Sequence, residues 1–318
     1  MKPFAFVFPG QGAQSVGMLD AWGDHPVVRR TLEEASAALG QDIGLLIKDG
    51  PKEELALTTN TQPVMLVAGV AAFRVWMDET GSAPTVVAGH SLGEYAALVA
   101  SGALTLTQAA PLVRLRAQAM QDAVPVGVGA MAAILGLDAT KIIAACARIS
   151  SAIGQNGTDL GVVEAVNFND PMQTVIAGNK AAVDAACEEL KALGAKRALL
   201  LQVSAPFHCS LMKPAGEKLK AALADIGFSP MQFPLINNID VAVQTEPDAV
   251  RDALYRQSFG PVRWVEVVGA IKRRGVSHVV ECGPGKVLAG LVKRIDAELT
   301  GAPLFDPASM AQVKEMLA

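Results

Sequence analysis

Cysteine is scarce in this chain of 318 residues. The four present, Cys146, Cys187, Cys209 and Cys282, are scattered without a C-x-x-C spacing, so the sequence offers neither a recognisable metal-ligand set nor a disulfide framework. Long apolar runs are missing too. The longest uncharged stretches, such as Tyr95 to Val113, are broken by Ser, Gly, Thr, Gln and Pro, and none reads as a membrane span. The opening run from Pro3 to Phe8 is too short for a signal-peptide core, which makes the cytoplasm the expected compartment. Only 18% of residues are charged and the net charge is −4, which argues against nucleic acid as a partner. Basic residues cluster late, however. Arg251, Arg256, Arg263, Lys272, Arg273, Arg274, Lys286, Lys293 and Arg294 face few acids nearby in the chain. They read as a solvated surface, or as a face that receives an acidic partner or a phosphate. What is abundant is small aliphatic residues: 51% of the chain is hydrophobic and mean hydropathy is +0.33, raised by Ala and Val. That is enough for one large α/β domain with an insertion, or for two domains.

The most informative stretch is Val86-Val87-Ala88-Gly89-His90-Ser91-Leu92-Gly93-Glu94-Tyr95. An apolar run, Pro84 to Ala88, predicts a buried strand. An Ala-rich helical pattern follows, with Glu94 in its first turn. Between them lies G-x-S-x-G in the strand–turn–helix context of a nucleophile elbow. The turn would expose Ser91 Oγ at the carboxyl end of a strand, where the helix N-terminus favours developing negative charge. The competing reading is a turn serine that caps a helix.

Phe4 to Phe8 predicts a first buried strand ending in Pro9-Gly10-Gln11-Gly12. The loop lacks G-x-G-x-x-G, which excludes a dinucleotide site. Its N–H groups would suit the second half of an oxyanion hole whose first half is the N–H of Leu92; a tight strand-to-helix turn explains it equally well. Pro26 to Leu39 predicts a surface helix, Thr61 to Met77 a long core helix, and Thr107 to about Asp122 a helix capped by Thr107. In that last helix Arg116 has Leu112, Val113, Ala119 and Met120 as helical neighbours. An arginine on an apolar face needs an anion, or burial costs about several kcal/mol. Spacing alone favours a buried Asp or Glu; the sharper reading is a carboxylate-bearing substrate held by the planar guanidinium.

After a Pro125–Gly129 hinge the pattern becomes β-α-β-β-α-β, ending with a strand over Lys196 to Val203, the order of a ferredoxin-like unit. Residues 126–203 are therefore expected as a small insertion, including a Gly154-Gln155-Asn156-Gly157 loop, in a larger domain made of 1–125 and 204–318. The last strand delivers Ser204-Ala205-Pro206-Phe207-His208-Cys209. Among four histidines, His25 sits at a helix start, His90 should point away from its neighbour Ser91, and His278 enters a strand. That leaves His208 at a loop mouth as the candidate general base, with Cys209 beside it inert. Gly283-Pro284-Gly285-Lys286 lacks P-loop spacing and reads better as a tight turn into a helix from Val287 than as a phosphate site. The tail from Thr300 predicts a weak helix.

Taken in order, Phe8-Pro9-Gly10-Gln11-Gly12, Gly89 to Tyr95, Arg116, Asn167-Phe168-Asn169, Ala205-Pro206-Phe207-His208, Arg256-Gln257 and Gly283 to Lys286 resemble the malonyl-CoA:acyl carrier protein transacylases of bacterial fatty-acid synthesis, over Phe4 to about Ile295. The resemblance implies an α/β-hydrolase-like parallel-sheet domain with an inserted ferredoxin-like domain, and an active site in the cleft between them. It implies Ser91 as nucleophile, His208 as base, and Arg116 as the anchor of the malonyl carboxylate. The N–H groups of Gln11 and Leu92 would form the oxyanion hole, and Gln257 would orient His208 through its main-chain carbonyl, a dyad rather than a triad. Asn167 and Asn169 are candidate pantetheine contacts, and Phe207 matches the malonyl-selecting form of its motif. Malonyl-CoA and acyl carrier protein are the implied partners, in a ping-pong scheme without metal or cofactor, by an expected monomer. A serine hydrolase and a non-catalytic carrier-docking module are the rival classes.

Overall fold

The computed structural model describes residues 1–151 and 161–318, so the expected loop at Gly154–Gly157 lies outside the described residues. Nine strands are seen among them: β1 (Phe4–Phe8), β2 (Val86–Gly89), β3 (Gly129–Leu135), β4 (Val163–Asp170), β5 (Gln173–Asn179), β6 (Arg197–Leu200), β7 (Leu235–Ile236), β8 (His278–Cys282) and β9 (Thr300–Leu304). Five form a wholly parallel sheet in the order β7-β2-β1-β8-β9. Alternation along these strands sorts side chains into two cores. Phe4, Phe6, Phe8, Val87 and Val280 pack against the long helix Thr58–Thr80 on one face. Ala5, Val7, Val86, Ala88 and Val279 pack against the helices Trp264–Arg273 and Val287–Ile295 on the other. The central strands are fully buried because both faces are covered.

The second sheet is antiparallel, ordered β4-β5-β3-β6. With its two helices, Ala139–Ser151 and Lys180–Ala192, it has the β-α-β-β-α-β order and strand arrangement of a ferredoxin-like unit. One face buries Ile134, Val163 and Ile176 under those helices. The other presents Met131, Val166, Val175 and Ala177 to Ala119, Met120, Phe207 and Met212 of the larger part. This second contact sets a cleft at the carboxyl ends of β1 and β2, where open α/β sheets place ligands. The fold class is the one expected: a parallel-sheet α/β body carrying a small antiparallel unit.

Several local expectations shift. The long core helix begins at Thr58, so Pro63 lies inside it. The helix bearing Arg116 is Leu106–Asp122, and its cap is Thr105, not Thr107. Thr105 Oγ1 accepts from Gln108 N while Gln108 Oε1 accepts from Thr105 N, a reciprocal box that the residue at 107 is out of position to make. The tail is not a weak helix from Thr300: it adds β9 to the sheet edge and then forms the helix Pro307–Leu317, capped by Asp306. The late basic residues do have acids nearby. Arg251 pairs with Asp248, Arg256 with Asp240 and Asp252, Arg263 with Glu266, Lys272 with Asp296 and Glu298, and Arg294 with Asp170. Three of these seven pairs, Asp248–Arg251, Asp252–Arg256 and Arg263–Glu266, follow i,i+3 or i,i+4 spacing; the others join separate segments. Arg273, Arg274, Lys286 and Lys293 enter no ion pair among the described residues. No helix among the described residues is long and apolar enough to cross a membrane.

Candidate active site

β2 ends at Gly89 and the helix Gly93–Ala100 begins four residues later, so the chain reverses within Gly89–Gly93. Both glycines are sterically required. A Cβ on Gly89 would lie 1.9 Å from Gly93 C, and one on Gly93 would lie 2.0 Å from Phe8 O. Ser91, between them, is held at φ 53°, a left-handed conformation unusual for a side-chain-bearing residue. Asn238 clamps the turn from a separate segment. Its Oδ1 accepts from Ser91 N at 2.7 Å and its Nδ2 donates to Gly89 O at 2.6 Å. Nothing in the sequence singled out Asn238; its signal is only an Asn-Asn pair following a short apolar strand.

Ser91 Oγ lies 2.6 Å from His208 Nε2. The far ring nitrogen, Nδ1, faces two carbonyl oxygens, Gln257 O at 3.0 Å and Gly260 O at 3.2 Å. Carbonyls only accept, so Nδ1 carries the proton, leaving the Nε2 lone pair turned to the serine hydroxyl. Burial first, and the Arg116 charge second, push the His208 pKa down to about 3. The imidazole is therefore neutral at physiological pH, as a base must be. Backbone carbonyls hold it where other elbow enzymes use an acid. His90 faces a different way: its Nε2 is hydrogen-bonded to Asn169 Oδ1 at 2.9 Å, joining the elbow to β4 across the cleft.

Arg116 is 2% exposed, yet among the described residues no carboxylate lies within ion-pair distance of it. The buried Asp or Glu that spacing favoured is replaced by amides. Nη1 donates to Gln62 Oε1 at 2.7 Å, and Nη2 to Gln257 Oε1 and to Ser91 Oγ, each at 3.2 Å. Its Nε is buried without an acceptor among the described residues, and the guanidinium carbon stands 5.5 Å from the Tyr95 ring centre. Burial lowers the Arg116 pKa. A buried cation met only by neutral dipoles is under-compensated, and it sits beside the serine. Gln62, the polar residue at the head of an apolar helix, was a signal that the helix reading passed over.

These groups line a cleft of about 370 Å³. Gln11 and Leu92 are among its lining residues, and neither backbone N–H has an acceptor among the described residues. Asn167 and Asn169, both on β4, line it, and Asn167 Oδ1 is buried without a partner among the described residues. Apolar Leu201, Val203, Val287 and Leu288 also line the cleft. Cys209 is buried, its Sγ 3.0 Å from Pro206 O, and burial pushes its thiol up to about 12. A proton acceptor on a serine hydroxyl, two idle N–H donors and an unpaired guanidinium within one cleft are the parts of acyl transfer through a serine ester.

The family model for the acyl transferase domain matches residues 5–298. The chain belongs to that family. Its relatives include the malonyl CoA-acyl carrier protein transacylase of Escherichia coli strain K12, 52% identical over 317 residues, covering 99% of this chain and all of the relative. Among solved structures, the acyl-carrier-protein S-malonyltransferase of Burkholderia pseudomallei 1710b superposes with a TM-score of 0.94 at 62% identity, over 99% of this chain and all of that one. A malonyl-transacylase solved in complex with a type II polyketide acyl-carrier protein gives the same TM-score at 49% identity, over 99% of this chain and 100% of that one. Within the family's span lie all eight of the residues expected to form the site.

Proposed function

We propose that this chain transfers a malonyl group from malonyl-CoA to the phosphopantetheine thiol of acyl carrier protein, in fatty-acid synthesis. His208 Nε2 takes the Ser91 proton as Oγ attacks the thioester carbonyl. The new oxyanion meets the N–H groups of Gln11 and Leu92, donors worth about 3–4 kcal/mol each where such groups have been removed from other enzymes. Collapse breaks the C–S bond, and the proton on His208 passes to the departing CoA thiol. The malonyl ester waits on Ser91 with its free carboxylate on Arg116. In the second half the carrier thiol yields its proton to His208 and attacks the ester carbonyl; the bond to Ser91 Oγ breaks, His208 returns the proton to Oγ, and malonyl carrier leaves. Asn167 and Asn169 border the path of the pantetheine arm. The resemblance to carrier-protein transacylases supports the acceptor.

The observation that carries this reading is the buried Arg116 guanidinium, without a carboxylate partner, 3.2 Å from the nucleophilic oxygen. A plain esterase has no use for it. The test is mass spectrometry of the Ser91 peptide after mixing with malonyl-CoA, followed by addition of carrier protein. A malonyl ester on Ser91 that moves to the carrier is expected. Stoichiometric free malonate without malonyl carrier would assign a hydrolase, and absence of any Ser91 adduct would leave only a docking role.

A further inference from the structure

Glu94 sits in the first turn of the helix Gly93–Ala100, behind Ser91, and is 2% exposed. Its Oε2 accepts from Asn238 N at 2.9 Å and from Gln257 Nε2 at 3.0 Å. Gln257, itself fully buried, uses both ends of its amide. Nε2 also donates to Ser91 O at 3.0 Å, while Oε1 accepts from Arg116 Nη2 at 3.2 Å. One amide therefore stands between a guanidinium and a carboxylate, its oxygen to the cation and its nitrogen to the anion. Neither Glu94 nor Arg116 enters a direct ion pair among the described residues. The other charged group acting on Glu94 is Asp240, and Arg256 already holds that carboxylate. A lone buried charge costs far more than two that answer each other.

Building on the reading of Arg116 as a carboxylate anchor, we propose that Glu94 is a positioning residue of the site: its carboxylate balances the buried guanidinium through the Gln257 amide, and by acting at one remove it leaves the guanidinium edge beside Ser91 open to the free carboxylate of the acyl group. A carboxylate touching Arg116 directly would compete with substrate. No carboxylate at all would leave an unbalanced cation that grips a charged acyl group harder, so Glu94 sets how strongly the site separates charged from uncharged acyl groups.

The test compares malonyl-CoA with acetyl-CoA in acylation of Ser91 by wild type and Glu94→Gln. Burial pushes Glu94 up to about 7, so assays at about pH 8 keep the wild-type group ionised. Glutamine keeps the shape, and its carbonyl can accept the two N–H groups that now share Oε2. The half-saturating malonyl-CoA concentration should fall about fiftyfold, as expected for two charges roughly 7 Å apart at an effective dielectric constant of about 20, while that for acetyl-CoA stays put. Equal changes for both acyl groups, or none, would overturn the proposal. Glu94→Asp keeps the charge and should preserve the wild-type malonyl-to-acetyl ratio even if both rates drop; a shifted ratio there would overturn it too. Should Glu94→Gln not fold in a thermal melt, Gln257→Met, which cuts the link but keeps the main-chain carbonyl, must move the same ratio, and an unmoved ratio counts against the proposal. A wild-type protein that forms no malonyl ester removes the transfer reading itself, whereas an ester with an unmoved ratio removes only the role of Glu94.

Discussion

Replacing Arg116 by alanine separates an anchor from a strut. In the wild type, Nη2 stands 3.2 Å from Ser91 Oγ, and Nη1 and Nη2 are steadied by Gln62 and Gln257. The malonyl carboxylate on this cation would be a desolvated, charge-assisted pair, and removing one partner of such a pair costs about 3–5 kcal/mol. In kcat/KM that is roughly two to three and a half powers of ten for malonyl-CoA. Acetyl-CoA offers no carboxylate, so it never draws on that term, and it gains from losing an unpaired cation beside its methyl group. Alanine also strands the Gln62 and Gln257 carbonyl oxygens, costing about 1–3 kcal/mol of stability for each group left unpaired. Thermal melts, and Arg116→Met as a variant that keeps the bulk, separate that effect from binding. Steady-state rates with both donors, at fixed carrier protein, decide the matter. A loss by the same factor for malonyl and acetyl would show that Arg116 only props the cleft, and the carboxylate-anchor reasoning would be wrong.

The elbow was legible because everything that makes it is contiguous: a buried strand, a reversal with a glycine at each end, and a helix. Periodicity likewise placed Arg116 on an apolar helix face, but it cannot say what fills the space opposite. That answer comes from Gln62 and Gln257, which lie 54 and 141 residues away. His208 was found by elimination. Its orientation by two carbonyls was not readable from the residues, because any residue supplies a carbonyl. β9 was missed for a different reason. Thr300–Leu304 includes Gly301 and Pro303, poor strand formers, and it pairs because the edge of β8 is open to it; at a sheet edge a proline is tolerated. The ion pairs of Arg251, Arg256 and Arg263 were within reach of the sequence. Asp248, Asp252 and Glu266 stand three or four residues away, but the spacing has meaning only once the helices Pro247–Gln257 and Trp264–Arg273 are recognised.

Two further outcomes test the scaffold. Gly93→Ala forces a Cβ to within 2.0 Å of Phe8 O, so β1 and the elbow must part; a loss of about 1–3 kcal/mol or more, with loss of Ser91 acylation, is expected in urea denaturation and ester formation, and unchanged stability would refute the close approach. Glu281 gives a pH test. Its Oε2 accepts from Ala289 N at 2.8 Å, its Oε1 is buried without a partner, and burial raises its pKa from 4.5 to about 7. Between those values the native protein keeps a proton that the unfolded chain releases. The contribution of Glu281 is therefore complete below about pH 4.5 and is lost as pH rises to about 7, by up to about 3 kcal/mol. Glu281→Gln cannot titrate. It should be less stable than wild type at about pH 5, because its amide N–H groups take the unpartnered position, and the gap should narrow or reverse by about pH 8. Urea denaturation of both proteins at the two pH values measures the difference in slope; parallel pH profiles would mean that Glu281 is already ionised in the folded protein and would refute the raised pKa.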